Sequence, residues 1–428
     1  MSPVATLALA GILLLGLSVW VGLALMAIGV IGLEVFKDLA VQKFLGQDIF
    51  TSLTSPELAA LPLFILMGDI LFHTRLAEQL FRGLSPWTTR LPGSLLHVNI
   101  LGCAIFAAAS GSSAATAATI GKITLPELAR RGYNRDLAMG SLAGAAVLGL
   151  LIPPSLVLIV YGVLTKVSVL QLFTAGIVPG ILLAASFSAY LAIRATMSPE
   201  KAPKHTSTLS LGQRLRASAN LLPIVGLITL VIGSMYAGIA TPSEAAVMGV
   251  ISALIIAALQ RVLTPTMLAR ALMSAVRTSA MIGLILAGAL FLSKAMAFLG
   301  VPNQIAAYIG EMGLGPVGII LVLLVFYIVL GCFLDGTSMM VMTLPVTFPL
   351  ITAAGFDPIW FGIFLVLVAE MGAVTPPVGF NLFVVQDLTG EKFSRVGWAT
   401  MPFFVIMILF AIFITVFPGV VLWLPGAN

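Results

Sequence analysis

Gly149-Leu150-Leu151-Ile152-Pro153-Pro154-Ser155, a glycine followed four residues later by a double proline, returns 223 residues on as Gly372-Ala373-Val374-Thr375-Pro376-Pro377-Val378-Gly379. The same offset carries Leu125-Pro126 to Phe348-Pro349 and Gly132-Tyr133 to Gly355-Phe356. Gln79, Gly93 and Gly111 recur at Gln304, Gly318 and Gly336 with an offset of 225, so a two-residue slip separates the two sets. A register of punctuating residues held this long reads as two copies of one unit, with function expected where the copies meet.

Each double proline has a chemical meaning inside an apolar run. Two consecutive prolines offer no backbone N–H, so the carbonyls one turn earlier are freed. Free carbonyls with Ser and Thr oxygens are hard, uncharged ligands suited to a small cation such as Na⁺, and half-helix N-termini at the same depth attract an anionic group. One isolated proline would need no more than a kink to explain it. Two matched double breaks point further.

The composition sets the medium. With 60% hydrophobic and 9% charged residues and a mean hydropathy of +1.14, the chain reads as a polytopic membrane protein and not a soluble globule. The net charge of +5 comes from Arg and Lys clusters between apolar runs, so it reports membrane orientation and gives no sign of nucleic-acid binding. Cys103 and Cys332 each lie within an apolar run, which suits packing better than a disulfide or metal site. Residues 4–30 lack a basic front end and a cleavage pattern, and read as retained membrane helix.

Apolar runs of about 20 residues place membrane segments near 4–33, 50–72, 136–165, 168–193, 220–240, 244–260, 267–298, 358–386 and 397–424, the first open to a break near Ser18. Two further stretches, 94–129 and 316–353, are each split by a polar, glycine-containing tip. Arms of roughly 16 residues at ~1.5 Å per residue cover only about 24 Å of a ~30 Å core, so each stretch reads as a re-entrant hairpin. The tips are Ser110-Gly111-Ser112-Ser113, followed by Thr116, and Asp335-Gly336-Thr337-Ser338. Non-helical backbone at that depth is tolerated only inside protein or beside a water-filled cavity. Close packing by small residues is the plainer account of one such tip.

The positive-inside rule orients the copies. Arg75, Arg82 and Arg90 precede the first hairpin and Arg130, Arg131 and Arg135 follow it, so its ends belong in the cytoplasm. The matching flanks, 300–313 and 353–358, contain no Lys or Arg and carry Glu311 and Asp357. The expected plan is an inverted pair: residues 1–193, a cytoplasmic linker 194–219 with Arg194, Lys201, Lys204, Arg214 and Arg216, and residues 220–428. The N-terminus is expected outside, with Lys37 and Lys43 diluted there by Glu34, Asp38 and Asp48.

Glu370 and Asp335 are the acids nearest the breaks and are functional candidates by depth alone. Asp69, four residues before His73 and six before Arg75, reads as an interfacial acid neutralised by its neighbours. Thr241-Pro242-Ser243-Glu244 fits a helix cap with a capping-box Glu, and needs no ligand. Thr116 to Ile123 lacks the first glycine and the final Ser or Thr of a phosphate loop, and His73, His97 and His205 are too dispersed for a zinc or serine protease site.

The runs LPGSLLHVNILGCAIFAAASGSSAATAATIGKITLPELARRGY, LIPPS, TPSEAAVMG and TPPVGFNLFV resemble the large membrane subunit of tripartite ATP-independent periplasmic (TRAP) transporters, over essentially the whole chain. The resemblance implies an all-α elevator-type secondary transporter, not an enzyme, in a bacterial inner membrane, importing organic acids such as C4-dicarboxylates or sialic acid on a Na⁺ gradient. It implies as partners a small four-helix membrane subunit and a periplasmic substrate-binding protein. Carried over, one Na⁺ site uses Ser110, Gly111, Ser113, Gly149, Ile152 and Pro153, and the other Gly336, Ser338, Gly372, Thr375 and Pro376. The substrate pocket is expected to involve Ser112, Thr116, Pro154, Asp335, Thr337, Pro377 and Asn381. A stand-alone, proton-coupled organic-anion carrier of similar build is the second reading, and a membrane enzyme or non-transporting subunit the third.

Overall fold

The computed structural model describes residues 3–37, 41–203, 210–302, 304, 307, 315–377 and 379–427. Among these the chain is helical with no strand, and seven helices are long and apolar enough to cross a membrane. Most of the sequence flank 300–313, including Glu311, lies outside the described residues, as do Asp38, Lys204 and His205.

The helices begin where the sequence supplies a side-chain acceptor. Ser112, Asn134, Ser155, Ser168, Ser210, Thr241, Thr264, Asp335 and Asp357 each cap the helix that follows by accepting a backbone N–H of its first turn. Each such bond satisfies an otherwise orphaned donor, typically ~1 kcal/mol. Thr241 and Ser210 form full capping boxes with Glu244 and Gln213.

The first apolar run is two helices, Pro3–Gly16 and Val21–Phe36, turned at Ser18, whose φ is 58°. Gly11 faces Ile28 and Gly32 faces Leu7, so the helices run antiparallel and Pro3 lies at the same end as Lys37. The expected 50–72 span is not one helix. Val41–Leu53 ends before Pro56, a 3₁₀ turn spans Pro56–Ala59, and Ala60–Phe72 follows. Thr54-Ser55-Pro56 breaks the run because proline disfavours helical backbone in the residue before it. Beyond Phe72 the chain bends by 71° into the amphipathic helix Leu76–Thr88, which hydropathy alone does not reveal.

Two groups of helices pack closely through small residues. In the first, Val21–Phe36 lies along Pro265–Phe298: a Cβ on Gly288 would sit 2.4 Å from the Gly22 oxygen, and one on Gly29 would sit 2.7 Å from the Phe291 ring. Ala60–Phe72 and Pro242–Leu259 join this group, with Gly249 against Met67. In the second, Arg135–Ala146 packs on Phe393–Val416, where a Cβ on Gly140 would lie 2.1 Å from the Ala399 oxygen. With lipid on the far side as apolar as any side chain, such van der Waals fit between backbones is what holds helices together.

The second group holds both hairpins. The first has arms Leu96–Ser110 and Ser113–Arg130, the second Pro316–Gly331 and Gly336–Ala353. Their 15 to 18 residues correspond to roughly 22–27 Å at ~1.5 Å per residue, short of a ~30 Å core. The outgoing arms have equal length and equivalent caps, Ser112 and Asp335, in the 223 register. Gly111 and Gly336 are therefore not counterparts. Gly111 closes an incoming arm, whereas Gly336 opens an outgoing one.

Candidate functional site

The first break divides the crossing that begins at Arg135 into Arg135–Ala146, Leu148–Leu151 and Leu156–Thr165. Ile152 leaves the helix with extended backbone, Pro153-Pro154 is joined by a cis bond, and Ser155 caps the helix that resumes. The first hairpin tip is pressed against it. Gly149 is so close that a Cβ would lie 2.8 Å from Ser113 Cα and 2.9 Å from its nitrogen. A Cβ on Gly111, whose φ is +59°, would lie 3.4 Å from the Pro154 oxygen, so the left-handed residue that turns the tip also touches the break.

Polar groups at this junction are linked to one another. Ser110 Oγ and Thr116 Oγ1 share a 2.8 Å hydrogen bond, and Thr116 Oγ1 donates to the Ser112 carbonyl at 2.7 Å. Ser110, Gly111, Ser113, Thr116, Gly149, Pro153 and Pro154 are buried, and Ser112 and Ile152 half-buried. All six residues of the first expected cation site thus come to one place, and Ser112, Thr116 and Pro154 of the expected substrate set lie in the same junction.

The second break separates Pro358–Gly372 from Phe380–Thr389, and Pro376-Pro377 is again cis. Here the contact is backbone on backbone: a Cβ on Gly331 or on Gly372 would lie 2.7 Å from the other's Cα. Gly336 lies beside Ala369, and Asp335 Oδ2 accepts the Ser338 N–H at 3.0 Å. The freed carbonyls are partly retaken. Thr375 Oγ1 donates to the Met371 carbonyl at 3.0 Å, and the Asn381 N–H bonds to the Ala373 carbonyl at 3.0 Å. Gly372, Thr375 and Ser338 are buried, Gly336 and Thr337 half-buried, and Asp335, Pro376 and Pro377 exposed. Asn381 is fully buried, with both side-chain amide atoms unpartnered among the described residues.

The two junctions are joined by one contact that the sequence did not disclose. Ser113 Oγ, in the first tip, donates to Glu370 Oε1 at 3.3 Å, two residues before Gly372 of the second break. Glu370 is 2% exposed and its Oε2 has no partner among the described residues.

A second feature also escaped the sequence reading. A cavity of about 380 Å³ opens beside the first tip, lined by Ser110, Ser112 and Ala115 on the hairpin and by Gly68, Asp69 and Thr278 on the other helix group. The His73 ring, four residues on, bonds to the Asp69 backbone carbonyl at 2.8 Å and interacts with its carboxyl through charge, while Asp69 Oδ2 is buried without a hydrogen bond among the described residues. Ile65, Gly68, Asp69 and Phe72, all on this wall, follow helical spacing, and that pattern was the available signal.

Residues 6–420 match the model of the tripartite ATP-independent periplasmic transporter, DctM component. The chain belongs to this family. It is 32% identical over 391 residues to the C4-dicarboxylate TRAP transporter large permease protein DctM of Pseudomonas aeruginosa, covering 91% of this chain and 90% of that one. The ectoine/5-hydroxyectoine large permease UehC of Ruegeria pomeroyi is 30% identical, covering 98% of both chains. The sialic acid large permease SiaM of Vibrio cholerae is 28% identical over 89% of both. The crystal structure of the Alcanivorax borkumensis YdaH transporter covers 89% of each chain with a TM-score of 0.57 at 13% identity, a likeness of fold. The chain is accordingly a transporter permease subunit and not an enzyme.

Proposed function

We propose that this permease imports an organic acid by Na⁺ symport across a bacterial inner membrane, taking the acid from a periplasmic binding protein and working beside a small four-helix membrane subunit. What carries the reading is the pairing of each proline-broken helix with its own hairpin tip, Gly149 on Ser113 and Gly372 on Gly331. Na⁺ at the first junction would meet the hydroxyls of Ser110 and Ser113 and the carbonyls that Pro153 and Pro154 leave free. Na⁺ at the second would meet Ser338, Thr375 and the carbonyls before Pro376. Filling both would fix the two tips and so complete an anion site between them, which couples the fluxes.

The hairpins and broken helices form the moving body in this reading, and the group built on Val21–Phe36 and Pro265–Phe298 the fixed one. The cavity beside Ser110 opens between the two groups, toward the end of the fold that carries Arg75 and, by the charge rule, faces the cytoplasm. The C4-dicarboxylate and sialic acid named for two relatives are carboxylates, and the substrate class proposed here is the same.

The test is uptake into proteoliposomes containing this chain, its small subunit and the loaded binding protein. An inward Na⁺ gradient should drive accumulation of a labelled carboxylate, and collapse of that gradient should release it. Accumulation that follows a proton gradient in K⁺ medium without binding protein would overturn the scheme in favour of a stand-alone carrier.

A further inference from the structure

Glu370 has a surrounding that neither proposed cation site explains. It sits near the end of Pro358–Gly372, where its carboxylate faces Ser113 of the other repeat and has no Lys, Arg or His partner among the described residues. One oxygen takes a single hydroxyl bond, and the other takes none. A buried carboxylate without a counter-charge is strongly disfavoured, and ionisable groups at membrane depth are retained where they serve ions. Asp335, which precedes Gly336 on the second hairpin where that glycine meets Ala369, has the same sign and is exposed.

We infer that Glu370 is the shared anionic counter-charge of the two Na⁺ junctions, a role that rests on the Na⁺ reading above. By accepting the Ser113 O–H, the carboxylate turns the hydroxyl's lone pairs toward the first cation, as an outer carboxylate orients a metal ligand. Glu370 lies against the Ser113 hydroxyl of the first junction and two residues before Gly372 of the second. Filling either junction therefore brings a positive charge to a carboxyl group that has no Lys, Arg or His partner among the described residues. Glu370 acts through Ser113 and through its field, which makes it a positioning residue.

The experiment is a Na⁺ titration of the purified two-subunit permease in nanodiscs at fixed pH and ionic strength, read by the rise in melting temperature, with K⁺ as the replacement ion. At such close range a unit charge acting through a protein-like medium corresponds to roughly a ten- to hundredfold change in binding. Glu370→Gln should raise the half-saturating Na⁺ concentration at least tenfold, and Glu370→Asp should raise it less. Equal half-saturation in wild type and Glu370→Gln would refute the assignment while leaving the Na⁺ sites standing. Absence of any Na⁺ response in the wild type would remove the Na⁺ reading and this inference together. If Glu370→Gln does not assemble, Glu370→Asp is set against Glu370→Asn, a pair alike in size and different in charge. Equal values for that pair overturn the proposal.

Discussion

At Gly149 one hydrogen atom separates the first break from its tip, since any Cβ there would enter the backbone of Ser113. Backbone cannot swing aside as a side chain can, so Gly149→Ala should push the tip off the break, an overpacking cost of about 1–3 kcal/mol. Melting temperature should fall and Na⁺-stimulated uptake should fall with it; a variant with unchanged uptake would separate that contact from transport. Ser113→Ala removes one oxygen and Thr375→Ala one oxygen and one methyl group, and neither adds an atom to the junction. Each is expected to raise the Na⁺ concentration for half-maximal uptake several-fold, and unchanged Na⁺ activation in both would count against these ligands. At this scale the glycines and double prolines were legible because backbone geometry demands those residue types. The bond from Ser113 to Glu370 was not, because it joins residues 257 apart and leaves no periodic trace.

Between elements, the start of Arg135–Ala146 is tied by charge to the start of Phe393–Val416. Arg135 Nη1 donates to Glu391 Oε1 at 2.8 Å, Arg395 Nη1 to Glu391 Oε2 at 3.0 Å, and Arg395 Nε to Asp136 Oδ1 at 2.8 Å. The bond from Arg135, joined by that from Arg395, holds the Glu391 carboxyl below the usual carboxylate range. A depressed value means the contribution is complete above the ordinary Glu range and is lost as pH falls through the depressed one. The melting temperature of Glu391→Gln should therefore lie slightly below wild type at neutral pH and low salt. The gap should close in high salt, which screens exposed charges, and in acid. A gap that survives both would assign the effect to packing. Helix existence was largely readable from hydropathy, including the turn at Ser18. The division of 50–72 was marked in the sequence by the polar stretch Thr51-Ser52-Leu53-Thr54-Ser55-Pro56-Glu57, which a reading by length of apolar run passes over.

For the molecule as a whole, the proposed cycle requires one helix group to slide past the other. Phe64 of Ala60–Phe72 and Phe173 of Val169–Met197 meet across that boundary in an edge-to-face pair with centroids 6.3 Å apart. Cysteines at 64 and 173, introduced with Cys332→Ser and bridged by a short dithiol-reactive linker, should abolish uptake, and a reducible linker should restore it on cleavage. Full transport by the bridged protein would show that the boundary stays fixed. Sidedness is open to a second check. Because Val21–Phe36 folds back on Pro3–Gly16, an N-terminal reporter should be reached by an impermeant label from outside intact cells; protection from that label would reverse the assigned orientation. The two-copy reading rests on spaced glycines and prolines in the sequence, whereas the pairing of helices into groups depends on shape fit that no single stretch encodes.

The caps of the two outgoing arms are unlike: a neutral hydroxyl on Ser112 opens one and a carboxylate on Asp335 opens the other. In the reading proposed above, the two tips therefore offer an ion different chemistry: the second carries a carboxylate on its own cap, whereas the acid that reaches the first, Glu370, comes from another helix.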